Sequence, residues 1–100
     1  MSAPISRWTE WRGHRIKVEQ TADHCVALDI EGLPYARLSC ELDDGKKAPE
    51  GYFWLRWWSE NQHLCEALVD SGVITTRGEP IQISHWVATV AARVVPGADL

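Results

Sequence analysis

The sequence predicts an α+β fold, an antiparallel β-sheet of four to six strands with one helix packed on one face, in the order β-β-β-β-α-β-β. Three observations carry it. Polar and apolar residues alternate strictly over residues 14–19, 25–31 and 35–42, the period of a half-buried strand. Short turn-rich segments separate these runs, the spacing of an antiparallel meander. One stretch, residues 60–71, combines a helical apolar stripe with start and stop signals.

Trp8 and Trp11 begin a first strand that bends at Gly13. Residues 14–19 put Ile16 and Val18 on one face and Arg15, Lys17 and Glu19 on the other. Residues 20–23 form a turn. In 25–31, Val26, Leu28 and Ile30 share a face, and 31–34 turn the chain again. In 35–42, Ala36, Leu38, Cys40 and Leu42 point inward while Tyr35, Arg37, Ser39 and Glu41 point outward. Residues 43–51 are the most polar stretch and form a loop, closed as a long hairpin by Leu42 and Tyr52. Residues 52–58 are strand-like and aromatic, with Tyr52, Trp54 and Trp58 on one side and Phe53, Leu55 and Trp57 on the other.

Ser59 as N-cap and Gln62 three residues on make a capping box. Glu60 suits the positive end of the helix dipole. Leu64, Cys65, Leu68 and Val69 form the apolar stripe, Asn61, Glu66 and Asp70 line the wet face, and Gly72 ends the helix. Residues 73–76 are a short strand and 77–80 a turn. Residues 81–95 are a last strand or strand pair, with Trp86, Ala88, Val90, Ala92 and Val94 on one face and His85, Thr89 and Arg93 on the other. The alanines also permit an amphipathic helix over 84–94; the β-branched content favours strand.

One hundred residues make one domain, with an ordered core over about 8–95. Apolar residues at 45% and charged residues at 24% exclude a disordered tail or a collagen-like repeat. No apolar run approaches the roughly 20 residues of a spanning helix, and residues 1–7 lack the apolar region of a secretory signal. The net charge of −4 argues against direct binding of nucleic acid. The three cysteines, Cys25, Cys40 and Cys65, match neither a disulfide framework nor a zinc spacing. They read as free thiols in a cytoplasmic chain, with no metal and no cofactor. No nucleophile motif or phosphate-cradling loop is present, so no catalytic residues are assigned.

Six tryptophans in so short a chain either build volume into a thin core or form an interaction surface. Both faces of 52–58 are bulky, and one short helix covers one side only. That predicts a partner-binding patch of Tyr52, Trp54, Arg56 and Trp58 with the acidic Asp43, Asp44, Glu50 and Glu60.

Residues 31–39, Glu-Gly-Leu-Pro-Tyr-Ala-Arg-Leu-Ser, resemble a hairpin in a small family of uncharacterised phage and plasmid proteins. A loop from Asp43 to Pro49-Glu50-Gly51, the helix start Trp58-Ser59-Glu60-Asn61 and the helix end at residues 68–74 are similar to features of the same family. The chain departs from it at Cys40-Glu41, where the family usually carries an Asn. The resemblance covers residues 11–95 and implies a mobile-element accessory protein without established activity.

Small acidic phage proteins of this kind commonly block a host machine by binding it, as inhibitors of CRISPR effector complexes do, an argument from analogy. The expected function is therefore a non-enzymatic, anti-CRISPR-like host-defence inhibitor. It would bind a host protein or ribonucleoprotein with a basic surface, in the bacterial cytoplasm, as monomer or homodimer. A single-stranded nucleic-acid or transcription-associated accessory protein is the alternative, using stacked aromatics with Arg15, Lys17, Arg37 and Arg56. A small Cys/His enzyme or metal protein is a third.

Overall fold

A computed structural model describes residues 4–84 and 87–96. The expected faces of His85 and Trp86 and the short C-terminal tail from Gly97 lie outside the described residues. The elements are β1 (Ile5–Trp11), β2 (His14–Thr21), β3 (His24–Leu28), β4 (Pro34–Arg37), β5 (Ser39–Cys40), β6 (Phe53–Leu55), a 3-10 turn (Ser59–Asn61), α1 (Gln62–Asp70), β7 (Ile74–Gln82) and β8 (Ala88–Val94). Among the described residues the fold is α+β with one α-helix, as the alternation and the helical stripe predict. The strands fall into two four-stranded antiparallel sheets, ordered β1-β2-β3-β4 and β5-β6-β8-β7.

The second sheet arises because the run expected as one strand over 35–42 bends at Leu38. The Leu38 N–H donates to Cys25 O (2.9 Å) in the first sheet, and the Leu38 carbonyl accepts from Arg56 N–H (2.8 Å) beside the second. Ser39, expected to point outward, is buried, and its Oγ accepts from Cys25 N–H at 3.0 Å. The opposite seam is closed by side chains. Gln20, 3% exposed, accepts from Val94 N–H at 2.9 Å and donates to the carbonyls of Ala22 (3.0 Å) and Gly51 (2.9 Å). Arg7 donates to the carbonyl of Gly72 at 3.2 Å.

The inner faces share one core, with Ile16, Val18, Cys25 and Ala27 from the first sheet and Phe53, Leu55, Ile74, Ala92 and Val94 from the second. Leu64, Cys65 and Leu68 of α1 join the same cluster, as their spacing predicts. On β3, Cys25 and Ala27 are buried, Val26 and Leu28 half-buried, and Ile30 lies exposed in the turn after the strand. Alternation fixes which residues share a face. When both sets are apolar, it does not fix which set meets the core.

The helix end forms as expected. Gly72 (φ +80) donates to Val69 O and Val73 to Leu68 O, the paired bonds of a Schellman cap. The start does not. Ser59 (φ +60) opens a 3-10 turn and makes no capping bond; its hydroxyl donates to Glu60 Oε2 at 2.7 Å. Asn61 is buried rather than on the wet face, donating to the carbonyls of Arg37 and Arg56. The carbonyls at the Leu38 bend and beyond β6 need a donor, and Asn61 supplies it.

Residues 77–80, expected as a turn, are a bulge inside β7, because the register slips between Arg77 and Ile81. Pro80 cannot donate to a ladder, and a bulge accommodates it. The last segment is strand, paired with both β6 and β7. Among the described residues no helix is long and apolar enough to cross a membrane.

Two-residue turns join the first strands. Arg12-Gly13 has φ of 51 and 80, both in the left-handed region, at the bend expected at Gly13. Ala22 sits at φ 55, exposed, where a Cβ costs about 1–2 kcal/mol. Ala22→Gly is therefore expected to stabilise the fold by about 0.5–1 kcal/mol. Chemical denaturation measures it, and a loss of stability would contradict the strain argument.

Candidate functional site

The strand that the sequence marks as the binding element is buried on both sides. Phe53 and Leu55 are each 0% exposed and face the core, and Trp54 on the other side is 7% exposed. What covers Trp54 is the polar loop. Its indole N–H donates to the Lys46 carbonyl at 2.8 Å, and Asp44 holds the loop turn by accepting from Lys46 N–H at 2.9 Å. The expectation that a bulky face of 52–58 must meet solvent or a partner considered the helix as the only cover and left out this loop. Trp57 is half-buried on the core, with its indole N–H donating to Ala88 O at 2.8 Å.

The remaining predicted site residues divide into two groups: Asp43, Trp58, Arg56 and Glu60 line adjoining cavities, Arg56 and Trp58 sharing one of them, while Glu50 and Tyr52 line another. Trp58 and Asp43 line a groove of about 210 Å³ with Leu42, Ile83 and Val87. Glu60 lies near Arg37, Arg56 and Trp11 around a second cavity, and the Ser59 hydroxyl beside it holds its carboxyl below the usual range. Glu50 and Tyr52 line a third groove with Ile5 and Gln20. Asp44 is an exposed loop residue occupied by its own turn. The patch joining all eight residues is not assembled, because the loop that carries three of the acids folds over the tryptophan meant to sit beside them.

A surface that sequence reasoning missed is the outer face of the first sheet. The register sets Trp8 beside Lys17 and Lys17 beside Leu28; one row on, Glu19, Val26 and Arg37 align. Trp8, Val26 and Leu28 are half-buried, and Tyr35 on the adjacent strand is 45% exposed. The turn after β3 extends the stripe: Asp29 Oδ1 accepts from Glu31 N–H and Leu33 N–H, both at 2.9 Å. That bracing displays Ile30 and Leu33, 68% and 57% exposed. The flanks are charged. Arg15 lies 5.1 Å over the Trp8 ring, and Lys17 pairs with Glu19 at 3.3 Å. The second sheet and α1 both pack on the inner face. The signal is present in the shared face of Val26, Leu28 and Ile30, an apolar set that alternation alone does not place inside or outside.

The thiols do not read as nucleophiles. All three cysteines are unpaired, and Cys25 and Cys65 are buried. Burial raises Cys25 well above its ordinary value, pushes Cys65 up to about 12, and raises Cys40. Among the described residues no group of three His, Cys, Asp or Glu side chains is placed to hold a metal ion. Both buried thiols hold their protons more tightly in the folded than in the unfolded chain, where the value is 9.0. The stability they contribute is thus complete below pH 9.0 and falls as the pH rises toward 12. The slope should approach about 1.4 kcal/mol per pH unit for each thiol. Melting temperatures from pH 8 upward test this, and Cys65→Ala should flatten the decline; an unchanged slope would remove Cys65 as its cause.

No protein-family model matches the chain, and neither curated proteins nor solved structures give a significant match.

Proposed function

We propose that the chain is a non-enzymatic protein-binding domain that receives its partner on the outer face of the first sheet. One observation carries this reading: Ile30, Leu33 and Tyr35 stand exposed at the end of the outer face that carries half-buried Trp8, Val26 and Leu28. Contiguous apolar surface with a polar rim marks an interaction site more often than it marks idle surface. Trp8, Tyr35 and Arg37 are also the residue types that dominate interface energetics. The rim of Arg15, Lys17 and Arg37 favours a partner with acidic groups around an apolar centre, not the basic surface expected from the acidic loop. In the sharper form, which rests on the resemblance to phage and plasmid proteins, the partner is a bacterial host complex that this accessory protein occludes, anti-CRISPR-like.

A second reading has its own observation. Trp8 and Tyr35 share the sheet face with Arg15, Lys17 and Arg37, the combination of a platform for single-stranded nucleic acid. One experiment separates the two. Wild type and a Leu33→Asp/Tyr35→Ala variant are immobilised, bacterial lysate is passed over both, and a fluorescent single-stranded oligonucleotide is titrated in parallel. The protein-binding reading expects a discrete protein retained by wild type, at least about thirtyfold weaker retention by the variant, an unchanged melting temperature and flat anisotropy. Equal retention by both chains refutes this face; oligonucleotide binding that the variant abolishes transfers it to the second reading.

A further inference from the structure

On the opposite side of the sandwich, the outer face of the second sheet carries two arginines around one phenol ring. Arg77 Cζ lies 5.5 Å and Arg93 Cζ 5.8 Å from the centroid of Tyr52. The register explains the meeting: Thr75 is opposite Arg93 and Arg77 opposite Ala91, so both arginines are on one face of the β7–β8 ladder, one diagonal step apart. Among the described residues neither has an acidic partner. The ion pairs among the described residues are Lys17–Glu19, His24–Asp23 and Lys47–Asp23. A second observation is independent of the first: among the described residues, the buried Arg93 Nε has no hydrogen-bond partner. Buried donors in folded proteins are nearly always satisfied, and a charged donor left alone is the costlier case.

We infer that Tyr52, Arg77 and Arg93 form a binding site for a phosphate monoester. Two guanidiniums share one ring here without a carboxylate among the described residues to offset either charge, and each presents the planar fork that binds an oxyanion with two donors. The ligand charge follows from the count. A phosphate monoester carries about −1.5 to −2 at neutral pH and offsets both cations, whereas a carboxylate offsets one. Tyr52 adds a phenol O–H as a further donor, and Thr75 stands beside the pair on the same face. The chain as a whole is acidic at −4, so attraction of a phosphate has to be local to this cluster. The site is separate from the face proposed for protein binding and stands whether or not that proposal holds.

The test titrates inorganic phosphate, O-phosphoserine and a nucleoside 5′-monophosphate into the full chain at constant ionic strength, with chloride and acetate as references. Amide resonances of Thr75, Arg77 and Arg93 report binding. The expected result is saturable shifts with phosphate-bearing probes only, weakened at least tenfold in Arg77→Gln. Arg77 is exposed, so that variant should keep its melting temperature even where Arg93→Gln fails to fold. Tighter binding of phosphoserine or of the nucleotide names the source of the phosphate; equal binding of all three assigns recognition to the phosphate group alone. Non-saturating shifts, equal shifts with chloride, or unchanged binding in Arg77→Gln would overturn the site. Equal affinity for acetate would overturn the monoester and give the site to a carboxylate-bearing partner.

Discussion

Gln20→Leu is expected to destabilise the fold by about 2–4 kcal/mol, a drop in melting temperature of roughly 10–25 °C for a domain of this size. The substitution keeps the volume of the side chain and its burial. It removes the acceptor for the buried Val94 N–H and the donor for the carbonyls of Ala22 and Gly51. Leucine can replace neither, and the packed seam gives water little room to do so. The amide of Val94 makes the largest contribution, because it is enclosed. Thermal unfolding monitored by circular dichroism measures the change, and a loss smaller than about 1 kcal/mol would mean that water reaches the seam after all.

Trp54→Ala should cost about 3–5 kcal/mol, the range for deleting a large buried aromatic side chain. Trp58→Ala, at a half-buried groove residue, should cost about 1 kcal/mol. The contrast separates a ring that supports the loop from one that lines a surface. Trp54→Phe isolates the hydrogen bond: it keeps most of the apolar contact, loses the donor to Lys46 O and should cost about 1 kcal/mol. The polar loop should then be cut faster by proteases while the rest of the chain resists. If Trp54→Ala and Trp58→Ala destabilise equally, the assignment of Trp54 to the interior is wrong.

The fold class, the helix with its glycine stop and the long hairpin across 43–51 are legible in the sequence. Each is written in local chemistry: alternation, stripe spacing and turn residues. What was not legible depends on partners far along the chain. The carbonyls of Arg37 and Arg56 that recruit Asn61 into the interior come from segments 24 and 5 residues away. The bend at Leu38 needs both Cys25 and Arg56 in place, and no motif marks it. The predicted binding patch loses Trp54 to the interior for the same reason. Asp43, Asp44 and Glu50 are exposed, as polar loop residues should be, but the backbone between them covers the aromatic strand. The apolar outer face of the first sheet went unread because alternation groups Val26, Leu28 and Ile30 without fixing which side of the sheet meets the core.

The bend at Leu38 also bears on how the chain comes apart. Two sheets joined only by loops could open one at a time, each with its own free energy, as separate cooperative units do. Here one residue belongs to both. Opening the first sheet releases the Leu38 N–H from Cys25, and the same peptide segment holds the Arg56 amide through its carbonyl. Neither sheet can fray past this point without disturbing the other, and the Gln20 bonds impose the same condition at the far seam. The amides of Leu38, Arg56 and Val94 should therefore exchange with solvent deuterium at one common free energy, that of global unfolding, while those of the 43–51 loop exchange far sooner. A protein of this size built from two layers then behaves as a single all-or-none unit.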